Sequence, residues 1–202
     1  MLAMLLSQTL GIPFEMCSIA LCLFSSFPLA IMYARVPKSQ GEVYKHLFSI
    51  ASTTVMFMLA FSLNNLFDMF LATSYTWLIT RFFPRSRWAP IVCFAVLMGH
   101  MSYIHLAVQI WYRDDPSVYD ASSTMMVLVM KLSSFAWSYY DGQQPKDELS
   151  EDQKAFAVFQ HPSFIELFGY ATFFNGVWVG PAFEFRTYKQ FIDEDVPYLI
   201  VI

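Results

Sequence analysis

The sequence predicts an all-α fold, a polytopic bundle of about six transmembrane helices, some of them short or broken. Three observations carry that prediction. Of the 202 residues, 56% are hydrophobic and only 14% charged, whereas a soluble domain carries about a quarter charged residues. The chain also holds 21 Phe, 11 Tyr and 12 Met, more apolar and aromatic surface than water can comfortably cover. Finally, the apolar residues fall into runs near the length a bilayer requires, and the basic turns between them return to one side. The net charge of −4 and the lack of any dense Lys/Arg stretch exclude a nucleic-acid partner, since nothing here could neutralise phosphates. Cys17, Cys22 and Cys93 lie inside apolar runs with no CxxC pair and no Cys/His cluster, so neither a disulfide framework nor a metal site is supported.

The first span is Ile12 to Tyr33, which lacks a positive leader and a small-residue cleavage site and therefore reads as a retained helix. The loop after it carries Arg35, Lys38 and Lys45 against one acid, Glu42, and reads as cytosolic. The next apolar stretch, Leu47 to Phe83, is too long for one untilted helix and is interrupted by "SLNNLFD" (Ser62 to Asp68), whose Asn and Asp favour turns. It divides into two short spans, 47–61 and 69–83. That division also returns the three arginines of "RFFPRSR" to the side of the first basic loop. A fourth span, 89–112, tolerates Pro90 in its first turn and ends on Trp111 and Tyr112 at aromatic-belt height. After the short turn "RDDPSVYD" comes a fifth, 122–140.

The stretch 141–162 is the only strongly polar one and reads as a cytosolic linker. Within it Ser150 and Gln153 have capping-box spacing, which predicts a short helix starting at Glu151. The sixth span, 163–185, is apolar but broken by Glu166, Asn175, Gly176 and the Gly180-Pro181 pair. No repeat suggests a two-fold transporter.

Two of these segments carry groups that lipid does not tolerate. Lys131 sits in the fifth span, and a charge at membrane depth costs a few kcal/mol; that span leaves the membrane on Asp141 and Gly142. Irregular backbone such as Asn175-Gly176 and Gly180-Pro181 survives at that depth only against protein or a wet cavity. One reading is a membrane-embedded chamber; the other is that Lys131 snorkels to the headgroups and Gly180-Pro181 marks a helix end.

The blocks "TMMVLVMKLSSFAWSYYDG", "DELSEDQKAFAVFQHPSFIELFGY" and "FFNGVWVGPAFEFRTYKQFI" resemble consecutive stretches of the membrane-bound O-acyltransferases, in their lysophospholipid acyltransferase branch. The resemblance covers roughly the last 80 residues. It implies transfer of an acyl group from acyl-CoA, the co-substrate, to the hydroxyl of a lysophospholipid in the endoplasmic reticulum membrane, with no other cofactor. It also implies that Lys131, Asp141, Asn175, Gly180, Pro181 and Tyr188 line or shape a substrate chamber.

The family's catalytic pair, a histidine acting as general base with an asparagine upstream, lies well beyond the "GP-x-F" block. None of His46, His100, His105 and His161 occupies that position. His100 and His105, five residues apart on one helix, fall on different faces, and His46 and His161 read as solvated edge residues. No G-x-S-x-G elbow and no phosphate loop is present. The expectation is therefore the N-terminal part of such an enzyme, inactive alone, with its catalytic residues beyond residue 202. A short non-catalytic membrane protein, which binds lipid or a full-length acyltransferase, is the alternative.

Overall fold

The computed structural model describes residues 7, 9, 11–12, 14–36, 41–60, 63–111, 122–178, 180 and 182–193. Five long helices come first: α1 (Phe14–Ala34), α2 (Glu42–Ala60), α3 (Leu63–Phe82), α4 (Trp88–Trp111) and α5 (Ser122–Asp141). A 3-10 turn (Lys146–Glu148) and three short helices follow, α6 (Glu151–Phe156), α7 (Phe164–Ala171) and α8 (Phe185–Asp193). Among the described residues no strand forms.

α5 packs along α4 and α3, while the short α7 is wedged against α2 and α3. The core between them is aromatic, built on the buried Phe57, Phe135, Tyr170, Trp178, Phe185 and Tyr188. The outward faces are apolar too: Leu59, Phe24 and Phe82 are 76%, 73% and 71% exposed. Large apolar side chains presented in such number need a covering other than water. Among the described residues two helices are long and apolar enough to cross a membrane, 16–34 and 88–111. All three cysteines are buried and unbridged.

Three element boundaries differ from the sequence reading. α2 begins at Glu42, not near Leu47, and so takes Lys45 and His46 out of the loop and buries them. α3 begins at Leu63, so Asn64, Asn65 and Asp68 are helical. Their turn preference gives way to tertiary contacts: Asn65 is buried, and Asp68 lies 3.4 Å from Nε2 of His100. The stretch 163–185 is not one helix. α7 ends after eight residues, and the described residues between it and α8, 172–178, 180 and 182–184, are irregular.

The polar side chains inside α3 are accommodated locally. Thr73, Ser74, Thr76 and Thr80 each donate to the carbonyl four residues back, which satisfies a hydroxyl without a second element. The predicted capping box is formed. Ser150 Oγ accepts from the Gln153 N–H, and Gln153 Oε1 accepts from the Ser150 N–H. Lys38, Tyr112, the turn at 113–120 and Pro181 lie outside the described residues.

Candidate functional site

The end of α7 lies in the core, with Tyr170, Ala171 and Thr172 all buried. A helix leaves its last carbonyls without intrahelical donors, and here side chains from two other helices reach them. From α2, Ser49 Oγ donates to the carbonyls of Gly169 (3.1 Å) and Thr172 (3.4 Å), and Thr53 Oγ1 donates to that of Thr172 (2.5 Å). From α5, Lys131 Nζ donates to the carbonyls of Tyr170 (2.5 Å) and Ala171 (3.5 Å). The same ammonium lies 4.4 Å from the Tyr170 ring centroid and 4.6 Å from that of Phe183. Lys131 is 1% exposed, so it holds a helix C-terminus and two ring faces, where a cation is favourable on both counts.

The pattern recurs. Lys45 of α2 donates to the carbonyl of Ile192 at the end of α8 (2.9 Å), and Arg186 of α8 donates to that of Lys154 in α6 (2.9 Å). Neither α7 nor α8 has a basic residue in its own last turn. The three short helices are thus pinned by cations from elsewhere in the chain. The sequence reading missed Lys45, Ser49 and Thr53, although their spacing of four within an apolar run puts them on one helix face and could have revealed them.

Tyr188 is buried on α8, its hydroxyl 2.8 Å from His46 Nδ1 and its ring 5.5 Å from that of Tyr170. Lys131 and Tyr188 therefore meet on Tyr170, whose own hydroxyl donates to the Phe183 carbonyl (2.6 Å) and ties down the irregular stretch. Asn175 and Gly180 are half-buried in that stretch, and Gly180 has φ +93°, a left-handed conformation that favours glycine. Asp141 ends α5, about 15 Å along the helix from Lys131. Partial burial raises its carboxyl above the usual carboxylate range, and a hydrogen bond from Gln153 offsets that in part. Ser134 of α5 donates to Glu184 Oε2 (2.5 Å), a further tie to the segment before α8.

A cavity of about 420 Å³ opens between the stretch 157–162 and α8. Its walls carry His161, Glu166, Arg186, Lys189 and Asp193 beside Phe159 and Phe185. None of the five described candidates from the sequence reading is among its lining residues. Within it Lys189 pairs with Glu166 at 2.7 Å and lies 3.8 Å from Glu42.

A family model for the membrane-bound O-acyltransferases matches residues 106–198. A lysophospholipid acyltransferase of Saccharomyces cerevisiae is 36% identical over 86% of this chain and 29% of its own length. One from Schizosaccharomyces pombe is 34% identical over 92% of the chain and 36% of its own length. Lysophospholipid acyltransferase 5 of Bos taurus is 26% identical over 93% of the chain and 38% of its own length. The chain belongs to the membrane-bound O-acyltransferase family. It spans about a third of the length of these curated relatives.

The segment matched by the membrane-bound O-acyltransferase model contains α5 to α8 and all six residues expected to shape a chamber. The four histidines are each engaged within the protein. His46 is buried against Tyr188, not solvated. His100 contacts Asp68 and Tyr75, and His105 Nε2 lies 2.8 Å from Gln109 Nε2.

His161 is half-buried, its Nε2 3.1 Å from Thr80 Oγ1 and its ring stacked edgewise on Tyr139 and Trp77. Burial, with Arg81 adding to it, holds His161 below the usual histidine range. The unfolded chain then binds more protons than the folded one between the unfolded value, about 6.5, and the lower folded value. Stability contributed by neutral His161 is accordingly present above pH 6.5 and lost as pH falls through that window. Thermal melts of the solubilised protein from pH 7.5 to 5 are expected to fall more steeply in the parent than in His161→Gln; parallel profiles would show that His161 does not titrate differently on folding.

Proposed function

We propose that these 202 residues form part of a multi-pass acyltransferase of the endoplasmic reticulum membrane, with acyl-CoA as co-substrate and a lysophospholipid as acceptor. The observation that carries this reading is the likeness to lysophospholipid acyltransferases along nearly the whole chain. The exposed apolar faces of α1 to α4 agree with it, as lipid would cover them. On this reading six membrane segments are present, the sixth broken after α7, and 141–162 is a cytosolic linker. Lys131 and Tyr188 shape the chamber wall by fixing α7 and the irregular stretch that holds Asn175 and Gly180, Pro181 belongs to the same wall by the family resemblance, and Asp141 marks where α5 leaves the membrane. The reaction breaks the thioester C–S bond of acyl-CoA and forms an ester C–O bond. The acceptor's hydroxyl proton passes through a general base to the leaving thiolate.

On this reading that base comes from outside these residues, because none of His46, His100, His105 and His161 stands where the family's catalytic histidine does, well beyond the "GP-x-F" block. The 202-residue chain alone is therefore inactive. The test uses an antibody to 141–161 and an acyl-CoA transfer assay in membranes that lack their own activity. Transfer by a product well above 23.4 kDa, and none by the purified 202-residue chain, is the expected result. Turnover by the short chain would overturn the inactivity. No transfer by any product the antibody recognises would overturn the enzyme reading and favour a non-catalytic lipid-binding protein.

A further inference from the structure

The chain is acidic overall, yet three of its 12 Lys and Arg, namely Arg81, Arg85 and Arg87, fall within one short stretch. No acid occurs between Asp68 and Asp114 to offset them. The turn that carries them joins α3 to α4 and is fixed by its own backbone. The Phe83 N–H donates to the Ile79 carbonyl (3.0 Å), the Ser86 N–H to that of Phe83 (3.2 Å) and the Ala89 N–H to that of Ser86 (3.0 Å). Ser86 Oγ accepts from the Trp88 N–H (3.4 Å), and Pro84 stiffens the turn further. A turn so fixed has little freedom left to lose when a partner binds it.

It presents rings and cations together. Phe82, Phe83 and Trp88 are 71%, 60% and 62% exposed, and all three arginines are exposed beside them. The Arg87 guanidinium lies 5.7 Å from the Trp88 ring centroid. Among the described residues no carboxylate pairs with Arg81, Arg85 or Arg87. The charge of Arg81 acts inward on His161, which leaves Arg85 and Arg87 to serve a partner outside the chain.

Position decides what that partner is. α4, apolar enough to cross a membrane, starts at Trp88, so with the bilayer placed as proposed above the turn stands at the headgroups of one leaflet. Rings settle at that depth, and arginines reach the phosphates from it. A zwitterionic headgroup attracts an arginine with its phosphate and repels it with its ammonium, whereas an anionic one offers surplus negative charge. Each arginine close to an anionic surface strengthens binding about fivefold. The linker 141–162, on the same side by that reading, holds more acids than lysines and is repelled by the surface that attracts the turn.

We propose that the turn between α3 and α4 binds anionic diacyl phospholipid, with the Arg85 and Arg87 guanidiniums on its headgroup and Phe82, Phe83 and Trp88 against its acyl chains. The contact is with intact lipid of the bilayer surface, separate from the acceptor that the transfer reaction consumes. It rests on the membrane reading and requires no catalysis.

The test reconstitutes the 202-residue chain in phosphatidylcholine bilayers and replaces part of the lipid with brominated phosphatidylserine or brominated phosphatidylcholine, whose bromines quench nearby tryptophan. Subtracting the signal of Trp88→Phe isolates Trp88. At about 0.1 M salt, half-quenching is expected at no more than about one fifth as much of the serine lipid as of the choline lipid. The preference should fall below about twofold at about 1 M salt, where surface charges are screened, and in the double variant Arg85→Gln/Arg87→Gln. The salt arm needs no substitution, and a melting temperature equal to the parent's shows that the variant's loss is one of binding. Equal quenching by the two lipids, or a preference that survives the double substitution, would overturn the proposal. Failure of both lipids to quench Trp88 would overturn it too and would mean that protein covers the turn. A chain that does not float with the bilayer would sink the proposal together with the membrane reading, whereas equal quenching would sink it alone.

Discussion

Lys131→Met is expected to lower the melting temperature of the solubilised protein by about 4–8 °C. The change removes the ammonium that donates to the Tyr170 and Ala171 carbonyls. The Ala171 carbonyl is stripped of its donor, at about 1–3 kcal/mol, while that of Tyr170 keeps the Phe173 N–H at 3.3 Å and loses its bond to a charged group, about 1.5–3 kcal/mol. Against this stands the relief of no longer burying an ammonium, which cuts the loss to a net of about 2 kcal/mol; at 2–4 °C per kcal/mol for a chain of this size, that gives the stated shift. Arginine should not rescue, because its planar fork is larger than the space between the Tyr170 and Phe183 rings, which the ammonium fills at 4.4 and 4.6 Å. A lysine that lined a wet chamber or snorkelled to the headgroups would respond differently: its methionine variant would melt at or above the parent temperature. The measurement therefore separates a helix cap from both readings that the sequence left open.

Lys131 shows how far the sequence could be read. That a charged residue in an apolar span must face protein or water followed from its cost in lipid alone. What it faces did not, because the partner is a backbone carbonyl 39 residues away, and backbone leaves no residue-type signal. The capping box at Ser150 was readable because both partners lie within three residues. The turn expected at Asn64-Asn65 was misread for the opposite reason: local preference is worth a fraction of a kcal/mol per residue, less than the packing of α3 against α4, α5 and α7 and the Asp68–His100 contact that override it. The cavity was invisible because its walls come from 157–162, Glu166 and 185–193, which read separately as a linker end, a sixth span and a tail. Only folding brings Arg186 and Asp193 to face them.

Gly142→Ala is expected to be at least as damaging as the loss of Lys131, although it adds a single carbon. Gly142 has no positive φ to explain it; the constraint is space. A Cβ there would overlap the backbone carbonyl of Val158, and that backbone cannot easily withdraw. The Val158 N–H is bonded to the Ser138 carbonyl (2.9 Å), which also accepts from the Gly142 N–H (3.1 Å). Adding the carbon breaks one of these bonds or shifts the linker off the end of α5. Overpacking of this kind costs about 1–3 kcal/mol and more where backbone must move, so a melting shift of about 4–10 °C is expected. The shift should be accompanied by faster proteolysis between Gln143 and His161, since the linker is what gives way. Gly99→Ala supplies the opposite sign on the same chemistry: nothing lies within 4 Å of its added carbon, it sits inside α4, and alanine there should stabilise by about 0.5–1 kcal/mol. A Gly142→Ala protein that melts with the parent and resists protease equally would mean that the linker does not pack on the α5 exit. The cavity wall built from 157–162 would then lose its support.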